Sequence, residues 1–88
     1  MSERVQRFFD QLSAQDELIS VGQAMRVHHI VFDDELSKEH EETVLAMFIM
    51  KWYEKHRDVE VSYAQLVDEF RTYRHKVDEL LEKRRMKE

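Results

Sequence analysis

Three histidines are each followed, four residues later, by a carboxylate, a spacing at which two side chains share one face of a helix and can bind a metal ion. The pairs are His29 with Asp33, His56 with Glu60, and His75 with Glu79. The first two pairs run into predicted helix breaks, and the HExxH and ExxH patterns of helical zinc and di-iron sites are missing. We therefore expect no metal site and treat the histidines as surface or half-buried side chains.

Residues that ordinarily carry out covalent or phosphate chemistry are also sparse. The chain has no cysteine, so it has neither a thiolate nucleophile nor a disulfide framework. Its single glycine, Gly22, leaves no glycine-rich loop for a phosphate and no nucleophile elbow. Carboxylates are plentiful, but an 88-residue helical chain has little room for a sizeable pocket. The sequence thus predicts a protein that is not an enzyme and has no cofactor.

Acidic residues cluster around the predicted start of the third helix. They are Asp33, Asp34, Glu35, Glu39, Glu41 and Glu42. At a helix N-terminus such carboxylates oppose the positive end of the helix dipole, which is a structural role. The same cluster can also present a negative patch to a basic partner, as small inhibitors that imitate nucleic acid do.

Residues 71–88 form a basic end on an acidic chain. They hold seven Lys or Arg against four Asp or Glu, whereas residues 1–70 hold seven against fifteen, and the balances of +3 and −8 sum to the net charge of −5. Such an end can contact nucleic-acid phosphates. The candidate DNA contacts are Tyr73, Arg74, His75, Lys76, Arg84 and Arg85. Alternatively, the cations complement the negative end of the helix dipole and belong to a solvated tail.

The stretch "YAQLVDEFRTYRHKVDELL" carries apolar residues at intervals similar to those of a helix-turn-helix DNA-binding motif. The matching residues are Leu66, Val67, Phe70, Val77 and Leu80. The resemblance implies two helices joined by a turn, with residues 73–76 entering the major groove. However, Arg71 stands at the turn position where the motif expects glycine, and Asp78 and Glu79 would lie on the DNA-reading face. A single continuous helix is therefore preferred, with the DNA-reading form as the alternative.

These groups must be positioned by helices, because one glycine and no proline leave too few turns for an all-β chain. We predict one all-α domain over residues 1–88, a small bundle of three or four helices with a central apolar third helix and a long amphipathic fourth. The expected helices are Glu3 to about Leu12, Ser13 or Gln15 to residue 32, about Ser37 to His56, and Tyr63 to about Arg85. Leu18, Val21 and Met25 should continue the apolar face of the second helix.

The start of the fourth helix has the clearest local signal. Ser62 and Gln65 fit a capping box, and Val61 and Leu66 fit the flanking hydrophobic staple.

The apolar stretch "TVLAMFIMKWY", residues 43–53, belongs to the third helix. On a helix one arc is core-facing and holds Leu45, Phe48, Ile49, Trp52 and Tyr53. Met47 and Met50 lie outside that arc, so either the other helices surround this one or a partner covers the methionines. The run is cut by Lys51 and is shorter than the roughly 20 residues of a membrane span. With no apolar signal core in "MSERVQRFFD", the sequence predicts a cytoplasmic protein that does not enter a membrane.

The fourth helix carries an apolar seam that suits a helix hairpin or a dimer. Its members are Tyr63, Leu66, Phe70, Tyr73, Val77 and Leu80. The candidate partner or dimer surface consists of Met47, Met50, Tyr63, Leu66 and Tyr73. The favoured function is a non-catalytic regulatory or adaptor protein that acts through helix–helix contacts, as a homodimer or with another protein. The alternatives are a helix-turn-helix DNA-binding regulator using residues 62–87 and an acidic inhibitor of a nucleic-acid-binding protein.

Overall fold

The computed structural model describes residues 2–14, 18–33 and 39–87, with residues 86 and 87 as backbone only. The described residues form four α-helices and one small antiparallel sheet, which confirms the predicted all-α bundle. The elements in chain order are α1 (Glu3–Ser13), β1 (Leu18–Ile19), α2 (Val21–Phe32), α3 (His40–Lys55), β2 (Val61–Ser62) and α4 (Tyr63–Lys87).

α1 begins at a side-chain cap and packs one apolar stripe into the core. Ser2 is the N-cap residue, and its Oγ accepts a hydrogen bond from the Val5 N–H at 3.1 Å. The stripe that the spacing predicts is buried, since Val5, Phe8, Phe9 and Leu12 are at most 3% exposed. The first predicted helix is therefore confirmed.

α2 begins later than the sequence predicts. Ser20 Oγ accepts a hydrogen bond from the Gln23 N–H at 3.2 Å, and the Gln23 side chain accepts one from the Ser20 N–H at 2.8 Å, which completes a capping box. The predicted start at Ser13 is wrong because Ser13 ends α1, and Gln15 lies outside the described residues. The prediction that Leu18 and Met25 continue the apolar face of this helix is wrong, since Leu18 lies in β1 and the two side chains are 51% and 45% exposed.

The far end of α2 agrees with the prediction that residues 26–32 are helical. The helix ends at Phe32, and Asp33 then adopts the left-handed conformation with φ of 43°. The Asp33 N–H donates to the His29 carbonyl at 2.8 Å, which satisfies one of the last free carbonyls of the helix.

The small sheet ties together the starts of α2 and α4. Leu18 pairs with Ser62 and Ile19 with Val61, and each strand leads into its helix. Ile19 and Val61 are 0% and 5% exposed, so the inner side of the sheet is part of the core. This sheet was not predicted, because two-residue strands are too short to show a period-two pattern.

α3 lies against the other helices on one side only. Its start is His40, and the predicted start near Ser37 lies outside the described residues. Its buried apolar residues are Val44, Leu45, Phe48, Ile49 and Trp52. Tyr53 does not lie on the core side as predicted, because 39% of it is exposed. Met47 and Met50 are 45% and 64% exposed, so the other helices do not surround α3.

α4 is one continuous helix of 25 residues that passes through Arg71 without a turn. This contradicts the two-helix geometry that the helix-turn-helix resemblance implies. Half of the predicted capping box is present, since Ser62 Oγ accepts from the Gln65 N–H at 3.2 Å. The Gln65 side chain instead donates to Glu69 Oε1 at 3.5 Å.

α3 and α4 form an antiparallel hairpin around an aromatic core. At one end, His40 Nε2 lies 2.8 Å from Asp78 Oδ1. Further along, the ring of Phe48 lies 5.7 Å from that of Phe70, which in turn lies 5.3 Å from the ring of Phe9 in α1. Offset and edge-on ring contacts of this kind add to the free energy gained by burial. None of the described helices is both long and apolar enough to cross a bilayer.

Candidate interaction surfaces

The exposed side of α3 carries a methionine stripe, which we define as Met47, Met50 and Tyr53. These residues follow one another at three-residue steps and are 45%, 64% and 39% exposed. The guanidinium of Arg57 lies 4.5 Å above the Tyr53 ring, a cation–π contact that covers one face of the ring. Methionine adapts its shape to varied neighbours, so the stripe suits contact with another protein surface.

The other members of the predicted partner surface belong to the hairpin itself. Leu66 is 1% exposed and is therefore not available to a partner. Tyr63 and Tyr73 are half-buried, with their rings 6.5 Å from Phe9 and 5.7 Å from Phe48. The apolar seam of α4 is therefore a seam inside the monomer as far as Val77, which packs partly against the core.

Beyond Val77, α4 continues as an exposed helix, and we call residues 78–85 the α4 arm. Its first residue, Asp78, still contacts His40 at the start of α3. Every residue of the arm is exposed, including Leu80 at 63% and Leu81 at 43%. The structure measures 45 × 26 × 20 Å along its principal axes. At about 1.5 Å per residue, the arm adds roughly 12 Å to α4. Leu80 was predicted as a seam residue, but it is 63% exposed and is not part of the core formed by the described residues.

The acidic cluster is not a single surface patch. Glu41 and Glu42 are 8% and 2% exposed, and both face arginines. Glu41 Oε1 accepts a hydrogen bond from the Ser2 N–H at 3.1 Å, and Glu41 Oε2 lies 2.8 Å from Arg74 Nη1. The patch interpretation is therefore wrong for these two carboxylates, because they join α3 to the N-terminus of α1 and to α4.

Glu42 interacts with Arg4 through an ion pair rather than through a well-aligned hydrogen bond. Arg4 Nη2 lies 3.1 Å from Glu42 Oε1, although no well-aligned hydrogen bond reaches that oxygen from a described residue. Of the remaining acidic residues, Asp33 and Glu39 are exposed, whereas Asp34 and Glu35 lie outside the described residues. Glu39 is the N-cap residue of α3 but makes no side-chain capping hydrogen bond.

The candidate DNA contacts separate into two groups. Within the hairpin, Arg74 pairs with Glu41, and His75 Nε2 lies 3.0 Å from Glu79 Oε1. Tyr73 packs against the core, and Lys76 lines a groove beside it. Arg84 and Arg85 lie on the α4 arm, where both are exposed. The structure thus does not bring these residues to one face.

His28 is half-buried between α1 and α2. Its ring stacks on Phe32 with centroids 4.4 Å apart and meets the Phe8 ring edge-on at 6.3 Å. Its Nε2 atom is buried without a hydrogen-bond partner among the described residues. Burial, and secondarily the nearby charge of His29, lowers the pKa of His28 below its ordinary value. The folded protein therefore favours the neutral form of this ring.

The three pairs considered for metal binding are distributed along the chain. His29 and Asp33 stand at the end of α2, whereas His56 follows α3 and Glu60 directly precedes β2. No group of three His, Asp or Glu side chains within residues 2–14, 18–33 and 39–85 is close enough to hold a metal ion.

An open groove of about 260 Å³ lies between α3 and α4, and it was not predicted from the sequence. The residues that line it are Phe48, Lys51, Trp52, Lys55, His56, Glu69, Thr72, Tyr73 and Lys76. Lys51 and Lys55 stand one helical turn apart, which is visible in the sequence. The groove itself depends on how the two helices pair, and no local pattern reports that.

No family model, curated protein or solved structure matches this chain.

Proposed function

We propose that this protein is a non-catalytic regulatory or adaptor protein that acts through helix–helix contacts and pairs with a second copy of itself through the α4 arm. The observation that carries the proposal is the exposure of Leu80 and Leu81, at 63% and 43%, on an arm that extends past the core. Burying a leucine fully stabilises a contact by about 1.5–3 kcal/mol. Two copies of the arm bring together four such side chains.

The leucines of the arm continue the apolar seam of α4. Leu80 and Leu81 lie three and four residues after Val77, the last seam residue that packs against the core. Residues at these separations are neighbours on a helix surface. The seam that holds α4 against α3 therefore continues on to the arm, where a second helix can use it.

The charges of the arm favour an antiparallel second copy. Asp78 and Glu79 precede the leucines and also contact His40 and His75 of their own chain. Lys83, Arg84 and Arg85 follow the leucines. When two arms cross antiparallel near Leu81, the acidic part of each arm lies opposite the basic part of the other. A parallel pairing places like charges together, which is unfavourable. A two-fold contact of this kind uses the same patch on both copies.

The overall charge distribution supports the same pairing. Residues 71–88 carry +3 and residues 1–70 carry −8, so the basic end of one copy is attracted to the acidic body of another.

The two alternative functions have less support. The helix-turn-helix motif needs a turn, and α4 is one continuous helix. An acidic inhibitor needs an exposed negative patch, and two carboxylates of the cluster, Glu41 and Glu42, are buried in ion pairs.

The experiment compares molar masses by light scattering on a size-exclusion column over a range of concentrations. We expect the unmodified protein to be a dimer and the variant Leu80→Glu/Leu81→Glu to be a monomer of equal helicity by circular dichroism. The control is Ile30→Glu, which makes the same kind of change at a side chain that is 57% exposed on α2. It should remain dimeric.

Two results would contradict the proposal. One is an unmodified protein that stays monomeric at the highest soluble concentration. The other is an arm variant that dimerises as well as the control.

A further inference from the structure

The groove between α3 and α4 combines an aromatic floor with a cationic rim. Phe48, Trp52 and Tyr73 form the floor, with the Phe48 ring 6.4 Å from that of Trp52 and 5.7 Å from that of Tyr73. Phe48 and Trp52 come from α3 and Tyr73 from α4, and the Phe48 ring is tilted by 40° to that of Trp52 and by 51° to that of Tyr73. A flat apolar group placed on this floor meets ring edges and faces, which are the contacts that aromatic groups prefer.

The rim is more positive than the rest of the molecule. Lys51 and Lys55 approach the groove from α3 and Lys76 from α4, whereas Glu69 is the only carboxylate among the lining residues. Three lysines against one glutamate stand on a chain whose net charge is −5. Lys51 and Lys55 stand four residues apart on one helix, a spacing at which like charges repel each other, and an anion in the groove supplies a counter-charge.

The rim lysines are not used to stabilise the fold. In the described part of the chain, none of Lys51, Lys55 and Lys76 forms an ion pair, and all three are exposed. The arginines that face Glu41 and Glu42, by contrast, are paired. Each lysine carries three donors on a long stem and can therefore turn its ammonium group towards a ligand above the floor.

The size of the groove limits the ligand. Its volume of about 260 Å³ is just below the roughly 300–1,000 Å³ of pockets that hold drug-sized ligands. It accommodates one ring or two fused rings and leaves the acidic group at the rim. A complete nucleotide or a folded segment of another protein extends beyond it.

We propose that this groove binds a small aromatic anion, with its ring on Phe48, Trp52 and Tyr73 and its carboxylate or phosphate group between Lys51, Lys55 and Lys76. This site lies on the hairpin and shares no residue with the α4 arm. Its test is therefore independent of whether the protein dimerises.

Trp52 can report ligand binding spectroscopically, because it is the only tryptophan of the chain and lines the groove. In a proton–nitrogen correlation spectrum of labelled protein, the indole N–H of Trp52 gives a single side-chain signal of its kind. We would titrate the full chain with naphthalene-2-carboxylate and, in parallel, with the neutral analogue naphthalene-2-methanol. The two probes have the same rings and differ in charge.

We expect the carboxylate to shift the Trp52 signal in a saturable way and to bind at least tenfold more tightly than the alcohol. The variant Lys51→Gln/Lys76→Gln should lose this tenfold preference and bind both probes at the affinity of the alcohol. Lys83→Gln, which removes a lysine from the arm, should bind both probes as the unmodified protein does. Because all three lysines are exposed, the variants should keep the fold, and the rest of the spectrum checks this.

Four outcomes would overturn the proposal. The Trp52 signal does not move up to the solubility limit of the carboxylate, or the two probes bind equally. In the third outcome, Lys51→Gln/Lys76→Gln still prefers the carboxylate to the alcohol as strongly as Lys83→Gln does. In the fourth, both variants lose this preference equally, because a general charge effect then explains the binding.

Discussion

Arg74 Nη1 lies 2.8 Å from Glu41 Oε2, so the middle of α4 is joined by an ion pair to the first turn of α3. The carboxylate is almost completely buried and also accepts the Ser2 N–H, whereas the arginine is 42% exposed. A side chain that the sequence offered as a DNA contact therefore has a structural role in the hairpin. The same is true of Arg4, which faces the buried Glu42 from α1.

Removing either arginine should destabilise the fold, and the two effects should differ in size. Arg4→Met leaves Glu42 unpaired at 2% exposure, and breaking such a pair costs up to about 3–5 kcal/mol, reduced here because Arg4 is 22% exposed. Arg74→Met should cost less, about 1–2 kcal/mol, because solvent screens the more exposed arginine. Urea denaturation measures both, and Arg71→Met on the same helix is the control with little expected effect. Equal stability of all three variants would show that the ion pairs do not hold the helices together.

Arg71→Gly tests the continuity of α4. Glycine in a helix interior is less favourable than other residues by up to about 1 kcal/mol, so the variant should melt at a lower temperature. At a turn with positive φ the same change would be neutral or stabilising. A higher melting temperature would restore the two-helix interpretation and with it the DNA-reading alternative.

Stability should fall as the pH is lowered because of His28. Its pKa is lower in the folded protein than the ordinary 6.5 of the unfolded chain, so the unfolded state binds more protons between these two values. The free energy of unfolding therefore decreases as the pH falls through 6.5 towards the folded-state pKa. Denaturation at a series of pH values should show a flatter profile for His28→Leu than for the exposed control His56→Gln. Identical profiles would assign the pH dependence to other groups.

The methionine stripe should take part in self-association. Two arms of about eight residues bury less surface than the roughly 1,200–2,000 Å² of a stable interface, so part of the body must contribute. Met47→Glu/Met50→Glu should weaken the dimer at least tenfold in sedimentation experiments and leave the helicity unchanged. If dimerisation is unaffected, the stripe serves a different contact.

Binding to duplex DNA should be weak and without sequence preference at physiological salt, because residues 1–70 carry −8. Titration of a labelled duplex at several salt concentrations measures both affinity and salt dependence. If Arg84 and Arg85 contact phosphates, replacing both with Ala should flatten the salt slope by about one unit for each residue. A sequence-selective complex of sub-micromolar affinity would replace the adaptor proposal with DNA-binding regulation.

The sequence predicted those features that depend on local periodicity. The stripe of α1, most of the core arc of α3 and the seam of α4 up to Val77 follow from apolar spacing alone, because burial of one helix face requires it. The same reasoning placed Met47 and Met50 outside that arc, but it left open whether the other helices or a partner cover them. Ser20 and Gln23 carry the same capping signal as Ser62 and Gln65, but the start of α2 was predicted too early. Asp16 and Glu17 suggested a competing first turn, because acidic residues are favourable there.

Features that depend on distant residues could not be predicted. Glu41 and Glu42 look like solvent-exposed carboxylates in the sequence, and only the approach of Arg74 and Arg4 from other helices explains their burial. The groove has the same origin, since Trp52 and Lys76 meet only after α3 and α4 pair. Leu80 was assigned to the seam because spacing does not reveal where α4 leaves the core.

Disulfide formation between single cysteines tests the antiparallel pairing of arms most directly, since the natural chain contains no cysteine. In a two-fold contact that crosses near Leu81, Cys at position 81 lies close to its counterpart, within the short range that a disulfide spans. Under a glutathione redox buffer, Leu81→Cys should give covalent dimers much faster than Ile30→Cys, which places a cysteine at an exposed site on α2. Equal rates of dimer formation in the two variants would contradict the proposal that the α4 arm is the dimer contact.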